Sequence, residues 1–232
     1  MFAKAAATLD LLSDGRFEAG LGGGANLDAA SAMGAPALTP GEGLEAREEA
    51  VAILRASWSG ERALRFEGRH YRLGGARPGP KPVHPIAIWL GALKPRALAL
   101  TGRVADGWVA PVMSFMPPAD AAEAQVVIDN AAREAGRDPA EIRRIDNFAG
   151  EFTATAPAPA RDTDQAIVGP PDHWAEVLAH LALDLGFGTF LLTAPPDPET
   201  LRTFIKDVAP QVRERVAEAR AQATSGATVS QR

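Results

Sequence analysis

Hydrophobic residues recur along most of the chain at the spacings typical of alternating strands and helices. At the start, Ala5, Leu9 and Leu12 repeat at helical spacing and predict a helix over residues 3–13. Residues 16–21 read as a strand that ends in glycines. The chain is therefore expected to open with a helix followed by a strand.

The segment after these glycines predicts no helix of useful length, because Gly34, Pro36 and Pro40 interrupt it. The first amphipathic helix is predicted from about residue 43 to residue 59, with its apolar residues on one face. The charged residues of its polar side are interpreted as a solvated face: Glu45, Arg47, Glu48 and Glu49.

A small hairpin is predicted over residues 63–73, turning at Glu67 and Gly68, and a connector rich in proline and glycine follows it. Together they form an excursion over residues 61–83 and not a core element. Residues 86–91 are then almost continuously apolar, which is typical of a strand buried on both faces of a parallel sheet.

Beyond this strand, helices and strands alternate regularly. The predicted helices cover 95–104, 118–136, 171–185 and 198–219, and the predicted strands cover 107–112, 145–155 and 188–193. This alternation favours a parallel β/α architecture with right-handed crossovers. About five strand–helix units follow one leading helix, which suits an open doubly wound sheet or part of an eight-stranded barrel. We expect one domain over residues 1–220 and a disordered tail over residues 221–232.

Composition excludes several classes of function. The chain has 232 residues, of which 46% are hydrophobic and 23% charged, as in an ordinary folded protein. Its net charge of -5, with no basic run, argues against a nucleic-acid partner. It has no cysteine, and no apolar run approaches the roughly 18 residues of a membrane helix. These features predict a cytoplasmic protein without a membrane partner.

The stretch RFEAGLGGGAN, residues 16–26, raises the question of a dinucleotide site. Gly20, Gly22 and Ala25 satisfy the pattern G-x-G-x-x-G/A, but that pattern requires a helix that opens inside the motif. A nicotinamide-binding Rossmann protein is therefore a weak interpretation. A plain turn, or glycines that let a flat ligand approach the backbone at the mouth of a barrel, are the alternatives.

A second candidate site follows the apolar strand at residues 86–91. The short loop Gly91-Ala92-Leu93-Lys94 leads into a helix that opens at Pro95. Lys94 is a poor side-chain cap, so a phosphate could accept hydrogen bonds from the amides at this helix start, and the lysine could add charge. Water is the alternative cap.

No other catalytic motif is present in the sequence. The four histidines, His70, His84, His173 and His180, do not form a metal-binding pattern and are interpreted as surface or partly buried residues. There is no G-x-S-x-G elbow and no P-loop, which argues against a hydrolase or a P-loop nucleotidase. No metal is expected, and no catalytic residue is assigned.

Four blocks of the chain resemble the luciferase-like, flavin-dependent oxidoreductases, which include enzymes that use coenzyme F420. The blocks are KAAATLDLLSDGRFEAGLGGG at 4–24, FEGRHYRLGGARPGPKP at 66–82, HPIAIWLGALKPRALALTGRVADGW at 84–108 and AAREAGRDPAEI at 131–142. The resemblance implies an α/β fold, a TIM-like parallel β/α barrel of which this chain carries strands four to eight. About three strand–helix units that usually precede them are not matched.

The resemblance also implies a cofactor site at the carboxyl-terminal mouth of the barrel, for FMN or coenzyme F420. The loop at 91–94 would contribute backbone to the cofactor phosphate, and the strand end at 22–26 would lie near the flavin ring. Trp108 would lie beside the same cleft or serve as a core aromatic. The implied cofactor-binding residues are Gly22, Gly23, Gly24, Asn26, Gly91, Ala92, Leu93, Lys94 and Trp108.

The implied activity is that of a flavin-dependent oxidoreductase or monooxygenase. Bound FMN or F420 would serve hydride transfer to a small organic substrate or its oxygenation. Strand edges left by the unmatched units favour a homo-oligomer, expected to be a dimer. The alternative is a non-catalytic flavin-binding or partner subunit derived from the same family.

Overall fold

The computed structural model describes residues 1–22, 27–155, 166–193 and 197–229. The strands are β1 (Ala19–Leu21), β2 (Leu64–Glu67), β3 (Arg72–Ala76), β4 (Ile88–Gly91), β5 (Gly107–Val109), β6 (Arg143–Phe148), β7 (Gly150–Phe152), β8 (Ile167–Gly169) and β9 (Thr189–Leu192). The helices are α1 (Phe2–Ser13), α2 (Leu27–Ala32), α3 (Pro40–Trp58), α4 (Pro95–Val104), α5 (Pro118–Glu134), α6 (Pro171–Leu183), α7 (Pro198–Thr203) and α8 (Ala209–Val229), with a π-helical turn between the last two.

Most predicted elements are confirmed, and two are corrected. A short helix, α2, lies where no helix was expected, because its sequence LDAASA suits a helix and ends before Pro36. The single strand predicted over residues 145–155 is two strands, β6 and β7, since they pair with different partners. Helix α8 continues to Val229. The predicted limits of the domain, residues 1–220 with a tail over 221–232, stay a prediction.

Contacts divide the chain into two compact units. The first consists of Met1–Val109 with Val126–Ile142, and the second of Ala110–Gln125 with Arg143–Arg232. In the first unit, β4 pairs in parallel with both β1 and β5. In the second, β6 pairs in parallel with β9, and β7 with β8.

The first unit has its core on one face of the parallel strands. Ala19, Ile88 and Leu90 lie on that face and form one buried cluster with helices α1, α3 and α4. The helical members of the cluster are Ala6, Ala7, Val51, Leu54, Trp58 and Leu100. Because strand side chains alternate between faces, the residues between these positions point away from the helices.

Helix α3 begins with a capping box that fixes its first turn. The Thr39 hydroxyl accepts from the amide of Glu42, and the Glu42 carboxylate accepts in return from the Thr39 amide at 2.9 Å. Pro40 occupies the first helical position. The helix therefore starts about three residues earlier than its apolar pattern predicts.

The polar side of α3 is solvated at Glu45, as predicted, but Glu49 on the same side also binds the hairpin. Glu49 accepts hydrogen bonds from the amides of Arg69, His70 and Tyr71 at 2.7–3.0 Å, and these amides form the turn between β2 and β3. Burial alone would raise the pKa of Glu49, but these three amides hold it below its ordinary value. The hairpin is thus fastened to α3 by a carboxylate.

Carboxylates also fix the chain at the amino end of β4. Three of them accept backbone amides of the segment that leads into the strand: Asp10 from Val83 at 2.8 Å, Glu18 from Ala87 at 2.6 Å and Asp106 from Ile88 at 2.8 Å. This edge of the sheet is the stabilising end of a parallel β/α fold, opposite the end where sites form.

The second unit is built around an aromatic cluster. Phe148 of β6 contacts Trp174 of α6 edge to face, with ring centroids 5.9 Å apart, and also contacts Phe190 and Phe204. The segment that follows β5 pairs with β6 here, since the amide of Ala110 donates to the carbonyl of Ile145 at 2.9 Å.

Candidate functional site

The candidate site lies at the carboxyl ends of the parallel strands in the first unit. Leu21 is paired with Leu90, and Gly91 with Val109, so the three strands end at the same edge. Gly22 follows the end of β1, and the loop 91–94 follows the end of β4. Parallel β/α folds form their ligand sites at this edge.

The loop after β4 leads directly into α4, which begins at Pro95 as predicted. Lys94 is the N-cap residue, and no side-chain hydrogen bond caps the helix. The Lys94 carbonyl accepts from the amides of Ala97 and Leu98 at 2.9 Å, which starts the helical ladder. The amides that precede this ladder have no partner within the helix, as at any helix start.

This helix start has the electrostatic character of an anion site. The aligned peptide dipoles place partial positive charge there, and Lys94 and Arg96 are both exposed beside it. The first turn of α4 carries no acidic residue. A phosphate would therefore meet amide donors and positive charge with no opposing carboxylate in that turn.

Trp108 fixes the backbone of the loop 91–94 by a hydrogen bond. Its side chain is 0% exposed, and its Nε1 donates to the carbonyl of Ala92 at 3.0 Å. Of the two positions expected for Trp108, a core aromatic or a residue at the cleft, the structure shows the core position. It can therefore act on a ligand by fixing the backbone of Ala92.

The remaining predicted site residues fall into two groups. Gly22 is exposed, and a side chain added to it would meet nothing within 4 Å, so the backbone there is open to a ligand. In the loop, Ala92 is buried, Leu93 is 40% exposed and Lys94 is exposed. Gly23, Gly24 and Asn26 lie outside the described residues.

Three of the four histidines lie against carboxylates away from the strand ends. His84 Nδ1 lies 2.7 Å from Asp10 Oδ1, His70 pairs with Glu45, and His180 with Asp184. Within residues 1–22, 27–155, 166–193 and 197–229, no group of three or more His, Asp or Glu side chains could hold a metal ion. No helix of the described ranges is long and apolar enough to cross a membrane.

Trp89 was given no role by the sequence reasoning. It is partly exposed and lies in register between Gly20 of β1 and Gly107 of β5. The alternation of buried and less buried residues along β4 could have identified it, because Ile88 and Leu90 occupy the helix-facing side.

The residues present fit a flat, phosphate-bearing cofactor such as FMN or F420. The uncapped start of α4 suits the phosphate, and the open backbone at Gly22 suits close approach of a planar ring. The assignment of individual residues to that cofactor stays a prediction.

The fold has clear counterparts among solved structures. An F420-dependent secondary alcohol dehydrogenase in complex with an F420–acetone adduct matches with a TM-score of 0.77 and 17% identity, over 91% of this chain and 74% of that chain. A riboflavin lyase with modified FMN and riboflavin matches with a TM-score of 0.75 and 18% identity, over 92% and 67% of the two chains. The predicted TIM-like β/α fold is confirmed, and this chain carries part of such a barrel.

Sequence relatives point in the same direction. The F420-dependent hydroxymycolic acid dehydrogenase of Mycobacterium tuberculosis is 32% identical over 174 residues, which cover 73% of this chain and 46% of the relative. The chain spans less than half the length of the curated relatives it matches. Residues 1–149 match the family described as luciferase-like monooxygenase. The chain therefore belongs to the luciferase-like monooxygenase family, as its resemblance implied.

Proposed function

We propose that this chain binds FMN or coenzyme F420 and acts as an oxidoreductase on a small organic substrate. The observation that carries the proposal is the uncapped start of α4 at the carboxyl ends of β1, β4 and β5. The relatives named F420-dependent support F420 as one cofactor, and the structural match with modified FMN supports FMN as the other.

The residues of this chain would bind and orient the cofactor. The amides of the loop 91–94 and the first turn of α4 would donate to its phosphate, and Lys94 would balance its charge. Trp108 would keep the loop in place through the carbonyl of Ala92. Gly22 would allow the ring to lie against the backbone.

When bound, FMN or F420 supplies the hydride or oxygen chemistry itself, so the protein needs to bind, orient and exclude water. Hydride transfer is the reaction that the F420-dependent relatives support, and oxygenation is the one that the family name supports. We propose a small organic substrate in either case, and a cytoplasmic location.

The phosphate contact can be tested by comparing FMN with riboflavin. We expect FMN to bind at least about tenfold more tightly than riboflavin, because only FMN can use the amides at the start of α4. Lys94→Ala should weaken FMN binding by about threefold at low salt and leave riboflavin unchanged. Lys81→Ala, which removes an exposed lysine from the connector before β4, is the matched control.

Equilibrium dialysis with absorbance detection of each ligand measures these affinities, and the same preparation can be titrated with F420. If neither FMN nor F420 binds, the proposed function is wrong. If FMN and riboflavin bind equally, the phosphate does not lie at the start of α4.

A non-catalytic flavin-binding or partner subunit is the second candidate function. It is consistent with the candidate site, where the described residues offer amides and positive charge for binding and no catalytic residue is assigned. Binding of the cofactor with neither oxidation of its reduced form by a range of ketones nor reduction of its oxidised form by a range of alcohols would support this candidate. Turnover with any of them would exclude it.

We also propose that the chain forms a dimer. What supports this is the outer side of α1, where Leu9 is 48% and Leu12 80% exposed although both are large and apolar. Light scattering after size exclusion should give twice the monomer mass, and Leu12→Glu should return the mass of the monomer. An unchanged mass in the variant would show that this surface is not the interface.

A further inference from the structure

Trp89 lies on the face of β4 that points away from the helices. Its neighbours Ile88 and Leu90 are both 0% exposed and belong to the cluster shared with α1, α3 and α4. Because successive side chains of a strand point to opposite faces, Trp89 projects from the other side of the sheet. That side is the one that lines the interior of a β/α barrel.

The two residues paired with Trp89 on this face are both glycines. Gly20 of β1 and Gly107 of β5 are its direct partners in the register, and neither has a side chain. A Cβ added to Gly20 would meet nothing within 4 Å. The indole is therefore a large, partly exposed aromatic group on the interior side of a short three-stranded segment, with open space above Gly20 of the neighbouring strand.

Trp89 shares its face of the strands with the glycines of the candidate cofactor site. Gly91 is two residues further along β4 and shares the face of Trp89, while Gly22 is two residues beyond Gly20 and shares that face as well. The strands end there, and the uncapped start of α4 follows three residues after Gly91. A planar group held by its phosphate at α4 could extend over the glycines toward the indole.

We propose that Trp89 is a cofactor-binding residue whose indole stacks against the flat ring of the bound FMN or F420. The inference rests on the proposed function, because it takes the strand ends as the cofactor site. Tryptophan suits this position, since its ring offers a wide, rigid π surface that favours offset stacking on another aromatic system.

The test uses the emission of the bound flavin, which an indole in contact quenches by electron transfer and a phenyl or aliphatic side chain does not. Trp89→Phe and Trp89→Leu are compared with the natural protein, each loaded with FMN or F420. Trp58→Phe is the matched control, because Trp58 is buried on the helix-facing side and donates to the carbonyl of Ala3.

We expect bound cofactor to be strongly quenched in the natural protein and in Trp58→Phe, and to recover emission in both Trp89 variants. Dialysis should show binding weakened by about tenfold in Trp89→Leu and by less in Trp89→Phe, which keeps an aromatic ring. Circular dichroism establishes that each variant is folded, and Trp89→Phe keeps the test decisive should the leucine variant unfold.

Equal quenching and equal affinity in the natural protein and in Trp89→Phe would overturn the inference while leaving the proposed function intact. Failure of the natural protein to bind either cofactor would overturn both. These two results are distinguished by the dialysis measurement on the natural protein alone.

Discussion

Asp10 in the first unit and Asp146 in the second are both carboxylates removed from solvent, with 0% and 5% of their surface exposed. Their surroundings are nevertheless opposite. Asp10 accepts the amides of Val83 and His84 through Oδ2, and the His84 ring lies beside its Oδ1. Asp146 lies on β6, and its Oδ2 has no hydrogen-bond partner in the described part of the chain.

The pKa values of the two groups move in opposite directions. Burial would raise the pKa of Asp10, but the amides of His84 and Val83 and the imidazole of His84 hold it below the ordinary value. Burial raises the pKa of Asp146 to about 6, opposed only by the amide of Asn147. Burial alone therefore does not determine the charge of a carboxylate; the donors that surround it do.

These directions give opposite pH dependences. The stability that Asp10 contributes is present above its unfolded pKa and is lost as pH falls through the lower pKa of the folded state. Well below pH 3.8, Asp146 is protonated in both the folded and the unfolded state and does not lower the free energy of unfolding. Between pH 3.8 and about 6, Asp146 lowers the free energy of unfolding progressively, because its carboxyl group ionises readily only in the unfolded state.

The largest expected effect is that of Asp10→Ala. The change leaves the partly buried amides of Val83 and His84 without their charged acceptor, so we expect a loss of about 3 kcal/mol in the free energy of unfolding at pH 7. Urea denaturation measures it. Asp10→Asn, which keeps the shape and one oxygen acceptor, should lose clearly less.

A loss in Asp10→Ala no larger than that of an exposed substitution would contradict the role of Asp10 at the amino end of β4. At pH 3 the free energies of unfolding of the natural protein and of Asp10→Ala should differ less, because protonation of Asp10 weakens its interaction with the amides.

Asp146→Asn is expected to raise the free energy of unfolding, whereas Asp10→Ala lowers it. The variant should be more stable than the natural protein at pH 7, by at most about 3 kcal/mol, since each pKa unit corresponds to about 1.4 kcal/mol. The difference should disappear near pH 4. Asp120→Asn, an exposed change of the same kind on α5, controls for the loss of one negative charge.

Urea denaturation of these variants between pH 4 and pH 8 makes the measurement. A constant difference between Asp146→Asn and the natural protein across this range would show that Asp146 is not protonated in the folded state at pH 5.

The pattern of hydrophobic residues was sufficient to predict nearly every helix and strand, but not which faces are buried. In α1 the helical spacing of Ala5, Leu9 and Leu12 predicted the helix, whereas the buried residues are Ala6, Ala7 and Asp10. A buried aspartate cannot be recognised from helical spacing, because its donors come from a segment more than 70 residues away. Long-range partners of this kind are the part of the fold that local patterns miss.

The same limit applies to the candidate site. The loop at 91–94 was found because proline after a weak N-cap is a local signal, and α4 begins there as predicted. Trp89 was missed because its importance depends on Gly20 and Gly107 in neighbouring strands, and thus on the register. The carboxylate that holds the hairpin, Glu49, was missed for the same reason.

The smallest expected effect is that of Glu49→Gln, which repeats the arrangement of Asp10 at the surface. Glu49 accepts three amides of the hairpin turn, as Asp10 accepts two amides before β4, but the turn lies outside the core. We therefore expect faster hydrogen exchange at Arg69, His70 and Tyr71, with the global free energy of unfolding nearly unchanged. Glu67→Gln, at a highly exposed residue of the same hairpin, is the control and should leave these amides unchanged. A loss in the global free energy of unfolding as large as that of Asp10→Ala would mean that the hairpin is part of the cooperative core. Burial of the carboxylate would then not explain the difference between Asp10 and Glu49.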